Sequence, residues 1–309
     1  TAHLVAGIIA RLGGVPWVAE FRDPWLGNPI TEALGGSGPW LHRRLRVRLE
    51  RWIVRSADRT VFTSQTTARR YRRRYPDAGE MLIIPNGYDR GEAIARDPAT
   101  APGSRYRIVW TGTLDRPDEL QVLLDAIRAL AARRPALPSE LEVAFYGHVS
   151  DACRTILDRF TSDPVLGSIV RLEGFVPRRD ALSAVADADA ALVMLGSGAG
   201  VGQFVPGKLF DYLGQGKQIL AVLPPGDARD ILLELGWGVI ADPDAPDIER
   251  AIERLMTLPA PSPPADPEGR YDRETLAGRL ASTLRAAADS ARRGRATSSA
   301  SRPRTSEDT

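Results

Sequence analysis

The 309-residue sequence holds one cysteine, Cys153, and three histidines, His3, His42 and His148. A lone thiol excludes an internal disulfide framework and points to a reducing compartment. With so few soft ligands a closed zinc site is not expected. Asp187-Ala188-Asp189 precedes a strand instead of ending one, so no other metal is expected, and no cofactor. No apolar run reaches membrane-spanning length, and no charged-then-apolar leader precedes the fold. These absences read as a cytoplasmic protein. Lysine is nearly absent too: of 41 Lys and Arg, only Lys208 and Lys217 are lysines. In a chain that writes its positive charge as arginine, each lysine stands out.

What is present supports a large core. Hydrophobic residues make up 43% and charged residues 26%, at a length that suits two domains. The net charge of +2 hides an asymmetry. Between Trp40 and Tyr75 twelve Arg face only Glu50 and Asp58, a local +10 that leaves −8 elsewhere. Leu41, Leu45, Leu49, Trp52 and Ile53 recur there at helical intervals, which predicts a basic amphipathic helix over 41–56. Its charge has three readings: solvated surface, contact with anionic lipid headgroups from Arg43 to Arg59, or nucleic-acid binding. No aromatic stacking platform or base-reading motif accompanies the arginines, so no nucleic-acid partner is expected.

Short apolar runs predict strands at 16–21, 58–63 and 81–84, then at 107–111, 141–146, 170–173, 190–195, 219–223 and 238–240. Helical patterns fall between them, at 4–12, 41–56, 64–74 with Ser64 as cap, 118–133, 151–160, 179–186, 208–213, 228–235 and 247–256. Such alternation predicts an α/β protein with parallel sheets covered on both faces. A polar, Pro- and Gly-containing connector at 90–105 divides a domain at 1–92 from one at 93–258. Residues 259–289 read as a linker and a helix able to pack back on the first domain. Residues 290–309 read as a disordered tail. The first domain opens on a helix, so the chain is expected to start inside a domain.

The densest pattern is Gly196 to Leu220. A strand runs into four glycines, and Pro206-Gly207-Lys208 then opens a helix. Strand, loop and helix start present unpaired N–H groups and a positive dipole end to a phosphate. Lys208 adds a mobile charge there, with Asp211 on the same face. The strand ends Gly112-Thr113, Gly147-His148 and Gly174-Phe175 converge on the same edge, where ligands of such sheets bind.

Four signatures occur in order: Phe21-Arg22-Asp23-Pro24-Trp25, Ile84-Pro85-Asn86-Gly87, Trp110-Thr111-Gly112-Thr113-Leu114, and Pro206 to Leu213 (PGKLFDYL). Together they resemble the family 4 (group 1) glycosyltransferases of GT-B fold, over about residues 1–257. The resemblance implies two Rossmann-like domains: an acceptor-side one, partial here, and one that binds a nucleotide sugar. The first domain's early strands would lie upstream of Thr1, leaving a sheet edge and apolar surface exposed. It also implies transfer of a sugar from a nucleoside-diphosphate sugar to a hydroxyl of a glycan or lipid-linked acceptor, as in polysaccharide biosynthesis, with retention and without a metal. The implied donor contacts are Gly112, Thr113, Phe175, Val176, Gln203, Gly207, Lys208, Leu209 and Asp211. The implied catalytic residues are Asp23, Arg22 and Lys208. Four positions depart from the family: the first of its two glutamates falls on Gln203 and the second on Asp211, while its arginine falls on Thr113 and its following lysine on Asp118. Arg116 stands ready to replace that cation. Two alternatives remain open, a chain that binds nucleotide sugar without transferring it and a nucleotide-sugar epimerase.

Overall fold

The structure, a computed structural model, describes residues 2–29, 40–95, 105–259, 261 and 264–300. Most of the Gly- and Pro-rich stretch at 26–39, most of the expected connector and residues 301–309 lie outside them. The chain forms two compact units, residues 1–85 with 274–309, and residues 86–273.

In the first unit, β1 (Val18–Phe21), β2 (Arg59–Phe62) and β3 (Glu80–Ile83) form a parallel sheet in that order. Packed with it are α1 (Ala2–Gly13), α2 (Trp40–Ser56) and α3 (Gln65–Arg74). Ser64 caps α3 as its position predicts, accepting the Thr67 N–H. Phe21 stacks on Phe62 at the centre with centroids 5.5 Å apart, and the Tyr71 ring lies tilted against Phe62 at 4.8 Å. Gly7 lets α1 lie against α2, because a Cβ there would sit 2.8 Å from the Trp52 ring.

Glu50 is fully buried, accepting the Tyr71 and Tyr75 hydroxyls at 2.7 Å each and the Leu26 N–H at 3.1 Å. One of the two acids of the basic stretch is thus turned inward, so the surface of α2 is more basic than its sequence balance. β1 is an edge strand, and α1 exposes Val5, Ile8, Ile9 and Leu12.

Among the described residues the second unit has six parallel strands: β4 (Tyr106–Thr111), β5 (Leu141–Tyr146), β6 (Val170–Gly174), β7 (Ala190–Met194), β8 (Gln218–Val222) and β9 (Val239–Ala241). Their order is β6-β5-β4-β7-β8-β9. Between them run α4 (Pro117–Arg133), the short α5 (Leu137–Glu140), α6 (Asp151–Thr161), α7 (Arg178–Asp187), α8 (Gly207–Gly214), α9 (Asp227–Leu235) and α10 (Ala245–Thr257). Both sheet faces are covered: Ile108 and Trp110 of β4 enter one core, and Val109 enters the other. β7 is buried throughout, which is why its sequence is a continuous apolar run. The strand order reverses between β4 and β7. The carboxyl ends of those two strands flank the crevice where such sheets take ligands.

The structure changes two readings of the chain's ends. The expected linker is partly core, since Ala265 and Asp266 are buried. Asp266 accepts the Tyr88 hydroxyl at 3.2 Å and the Tyr271 N–H at 2.8 Å. Those bonds build Tyr88 into the second unit and set the boundary at Pro85, before residue 92. The last helix, α11 (Arg273–Ala300), continues where a disordered tail was expected. Its many Ala and Arg are strong helix formers and carry it on without an apolar face. From residue 274 it belongs to the first unit, where Arg279 donates to the Ile83 carbonyl at 2.6 Å.

Candidate functional site

At the carboxyl ends of β4, β5 and β6 the chain is glycine three times, and all three have positive φ: Gly112 (+114°), Gly147 (+131°) and Gly174 (+75°). Gly112 N–H donates to Tyr146 O at 2.8 Å and Gly147 N–H to Gly174 O at 2.7 Å, stitching the strand ends together. A Cβ on Gly147 would lie 2.0 Å from the Gly112 carbonyl oxygen. The close approach itself requires glycine.

Across the crevice, the loop after β7 is held by protein. Gly196 N–H donates to Glu119 Oε1 of α4 at 2.7 Å. A Cβ on Gly202 would lie 2.2 Å from the Pro225 carbonyl oxygen. Packing therefore accounts for both glycines without an anion. Gly207 differs: nothing lies within 4 Å of where its Cβ would be, so the first turn of α8 faces open space.

Lys208 follows. Its Nζ sits 3.0 Å from the centroid of the Trp110 ring, beside Gly112. Burial pushes the ammonium down to about 7, against the pull of Glu119, Asp115 and Asp211. It makes no hydrogen bond or ion pair with any described residue. Burial likewise raises the Glu119 carboxyl, which the Gly196 N–H partly offsets.

Asp211, one turn on, has both oxygens engaged by Arg178, Nη2 to Oδ1 at 2.9 Å and Nη1 to Oδ2 at 3.3 Å. Arg178 also grips Glu92, with Nη2 to Oε2 at 2.7 Å, and those bonds hold the Glu92 carboxyl below its ordinary range. Arg178 directly follows Phe175-Val176-Pro177. Phe175 is 83% exposed and Val176 half-buried. The segment expected to read the base is therefore tied to the carboxylate expected to hold the ribose.

The remaining expected residues divide. Thr113 is exposed just beyond Gly112. Arg116 is exposed at the start of α4 with Nε 3.9 Å from Asp115, and Gln203 is 6% exposed at the loop's end. Leu209 is corrected: its side chain is fully buried and its N–H donates to Pro206 O at 3.0 Å, so neither is left for a donor. Arg22 and Asp23 stand at the end of β1 in the first unit, exposed and without an ion pair to each other. Sequence reasoning missed Trp110, Glu119 and Arg178. The first was visible inside a recognised motif and the last directly behind one; the acid in the first turn of α4 carried no signal beyond helix-dipole complementarity.

A doubly wound parallel sheet with a glycine-lined switch point, joined to a second parallel α/β unit, is the architecture of the GT-B glycosyltransferases. Known proteins agree. Residues 1–87 match the family described as "Glycosyl transferase 4-like domain". D-inositol 3-phosphate glycosyltransferase of Nocardiopsis dassonvillei is 30% identical over 155 residues, 47% of this chain and 35% of that protein. Anabaena Alr3699/HepE in complex with UDP superposes with a TM-score of 0.68 at 16% identity, covering 92% of this chain and 76% of that one. Sucrose-phosphate synthase of Thermosynechococcus elongatus gives 0.63 at 18%, covering 91% and 71%. Over residues 1–87 the chain is therefore similar to the glycosyl transferase 4-like family, and its fold is that of the GT-B proteins. It spans about a third of the length of the curated relative it matches.

Proposed function

We propose that the second unit binds a nucleoside-diphosphate sugar, and that its sugar passes to a hydroxyl of a glycan or lipid-linked acceptor. One observation carries this reading: Lys208 is a largely buried cation with no anionic partner among the described residues, beside the open start of α8 at the switch point. A diphosphate leaving group builds up negative charge, and a fixed cation plus N–H donors in a water-poor site stabilise it. Lys208 and the first-turn N–H groups of α8 supply both. Asp211 holds the ribose diol, and Phe175 and Val176 the base. Gly112 and Thr113 border the diphosphate, with Arg116 as the nearby second cation and Gln203 closing the glycine loop. The named ligands of the Anabaena neighbour, UDP and UDP-glucose, support a nucleotide-sugar donor.

Arg22 and Asp23 are the catalytic groups of the acceptor side in this reading. Retention follows from the family resemblance, with the leaving phosphate taking the acceptor proton, as does independence from metal. Among the described residues no cluster of three His, Cys, Asp or Glu is placed to hold an ion. Activity abolished by EDTA and restored by a divalent cation would contradict metal independence.

The test is thermal unfolding against UDP, GDP, ADP and TDP. A nucleotide at 100 times its dissociation constant stabilises by about 2.7 kcal/mol. One nucleotide should raise the midpoint of the wild type and leave Lys208→Ala almost unmoved. A cooperative melt indifferent to all four would sink the donor site. The alternative, donor binding without transfer, rests on Gln203 and Thr113; product analysis with an acceptor panel separates it.

The partner reading includes peripheral contact with an anionic membrane from Arg43 to Arg59. No described helix is long and apolar enough to cross a bilayer. Trp40 is 67% exposed, Leu41 61% and Leu45 53%, among exposed arginines. Apolar side chains for the acyl boundary beside cations for headgroups are what an interfacial helix needs.

A further inference from the structure

Trp110 presents two features that its place in the core does not explain. Its ring carries the Lys208 ammonium 3.0 Å from the centroid. It is 5% exposed, yet its indole N–H finds no partner among the described residues. Its neighbours in that core include Leu120, Leu192 and Met194, which fill space without such an orphan. A buried Trp ordinarily satisfies its N–H, so a leucine or phenylalanine would serve packing better.

The carboxylates around Lys208 are engaged elsewhere. Asp211 is held by Arg178, Glu119 accepts the Gly196 N–H, and Asp115 lies 3.9 Å from Arg116. None pairs with Lys208. A carboxylate partner would cancel the lysine's charge and compete with an incoming phosphate. An aromatic face holds an ammonium through its quadrupole and carries no net charge.

We propose that Trp110 is a positioning residue for the donor diphosphate, a neutral aromatic seat that holds the Lys208 side chain dehydrated, favours its charged form and leaves it uncommitted until the anion arrives. The role rests on the donor reading above, but the seat itself exists without a ligand. Two elements besides its own face the lysine with charge: the β4–α4 turn through Asp115 and the first turn of α4 through Glu119; on its own helix stands Asp211. These acids favour the protonated lysine, and the ring adds to them.

The sequence makes the test clean, because Lys208 and Lys217 are the only lysines. Protein labelled with ¹³C at lysine Cε gives two signals, and Lys208→Met assigns them. In the ligand-free chain the Lys208 ε-protons should be shifted upfield by the ring, and Trp110→Leu should abolish that shift. Trp110→Phe should keep part of it. Binding of the nucleotide that most stabilises the wild type is then measured at pH 6 and pH 8 for the same variants. Trp110→Leu should weaken binding roughly tenfold at pH 8 but under about twofold at pH 6, where Lys208 is charged in any case. Trp110→Phe should fall between it and the wild type at pH 8. Equal loss at both pH values, or none, would reduce Trp110 to packing and overturn the proposal. An upfield Lys208 signal in a chain that binds none of the four nucleotides would overturn the donor reading while the seat stands. Two unshifted signals would remove the seat even if nucleotide binds.

Discussion

Arg178 Nη2 lies 2.9 Å from Asp211 Oδ1 and 2.7 Å from Glu92 Oε2, so one guanidinium nitrogen spans two carboxylates. The pair with Asp211 joins the segment after β6 to the helix that carries Lys208. Each Asp211 oxygen keeps a further lone pair, enough to accept a ribose diol while Arg178 fixes the plane of the group. Arg178→Ala should weaken nucleotide binding by roughly three- to tenfold, and Arg178→Lys by nearly as much, because a point charge does not hold a carboxylate in plane. Titration calorimetry with the stabilising nucleotide measures it. Unchanged affinity in Arg178→Ala would show that the pair only braces the surface.

Lys208→Met should make the chain more stable and unable to bind. The folded ammonium titrates near 7, below its ordinary value, because it is buried. Between 7 and about 10.4 the unfolded chain holds the extra proton, so native stability rises with pH across that window. Below 7 the full cost of the buried charge is present. Methionine keeps the stem and removes the charge, so the gain should be about 1–3 kcal/mol at pH 6 and fade towards pH 10. Denaturant unfolding at both pH values gives the answer. A destabilised Lys208→Met at pH 6 would mean that the ring contact outweighs burial.

Two glycines of the site should respond in opposite ways. At Gly147 a methyl would meet the Gly112 carbonyl oxygen at 2.0 Å with φ at +131°. Gly147→Ala should therefore cost at least about 2 kcal/mol of stability. At Gly207 no atom lies within 4 Å and the backbone is helical, so Gly207→Ala should hold or slightly raise the melting point. The same methyl intrudes where the diphosphate is expected, so nucleotide affinity should fall. A Gly207→Ala variant with wild-type affinity would move the anion away from the start of α8.

Regular strands were legible because a strand buried on both faces must be apolar throughout, as β7 is; its expected and observed ends differ by one residue. The glycines at the ends of β4, β5 and β6 were equally visible. Glycine also hides its reason, however: Gly196 and Gly202 read as a phosphate cradle but serve the loop's packing on Glu119 and Pro225. Leu209 failed for a related reason. A motif names neighbours in sequence, while a helix sends alternate faces to the core and the ligand. Arg178, Glu119 and Trp110 went unseen because their partners lie 33, 77 and about 98 residues away, and pairings at that distance exist only once the sheet order is known.

The basic surface of the first unit yields the last prediction. Several of its arginines have structural work: Arg55 pairs with Asp77, Arg59 with Glu80, and Arg72 donates to the Met81 carbonyl. Arg43, Arg44, Arg48, Arg51, Arg69 and Arg73 are exposed and make no hydrogen bond or ion pair with a described residue, Arg44 merely lying over the Trp40 ring. Glu50, buried, neutralises none of them at the surface. Arginines near an anionic bilayer gain about 1 kcal/mol each, so losing three should cost roughly a hundredfold in partitioning. Flotation with vesicles containing phosphatidylglycerol should carry the wild type upward and leave Arg44→Gln/Arg48→Gln/Arg51→Gln at the bottom. The triple variant should melt normally and keep its nucleotide response, since all three arginines are exposed and belong to the first unit. Vesicles of pure phosphatidylcholine should carry neither protein. Equal flotation on both lipids would assign the binding to Trp40, Leu41 and Leu45 alone, and no flotation on either would leave the arginines as solvated surface.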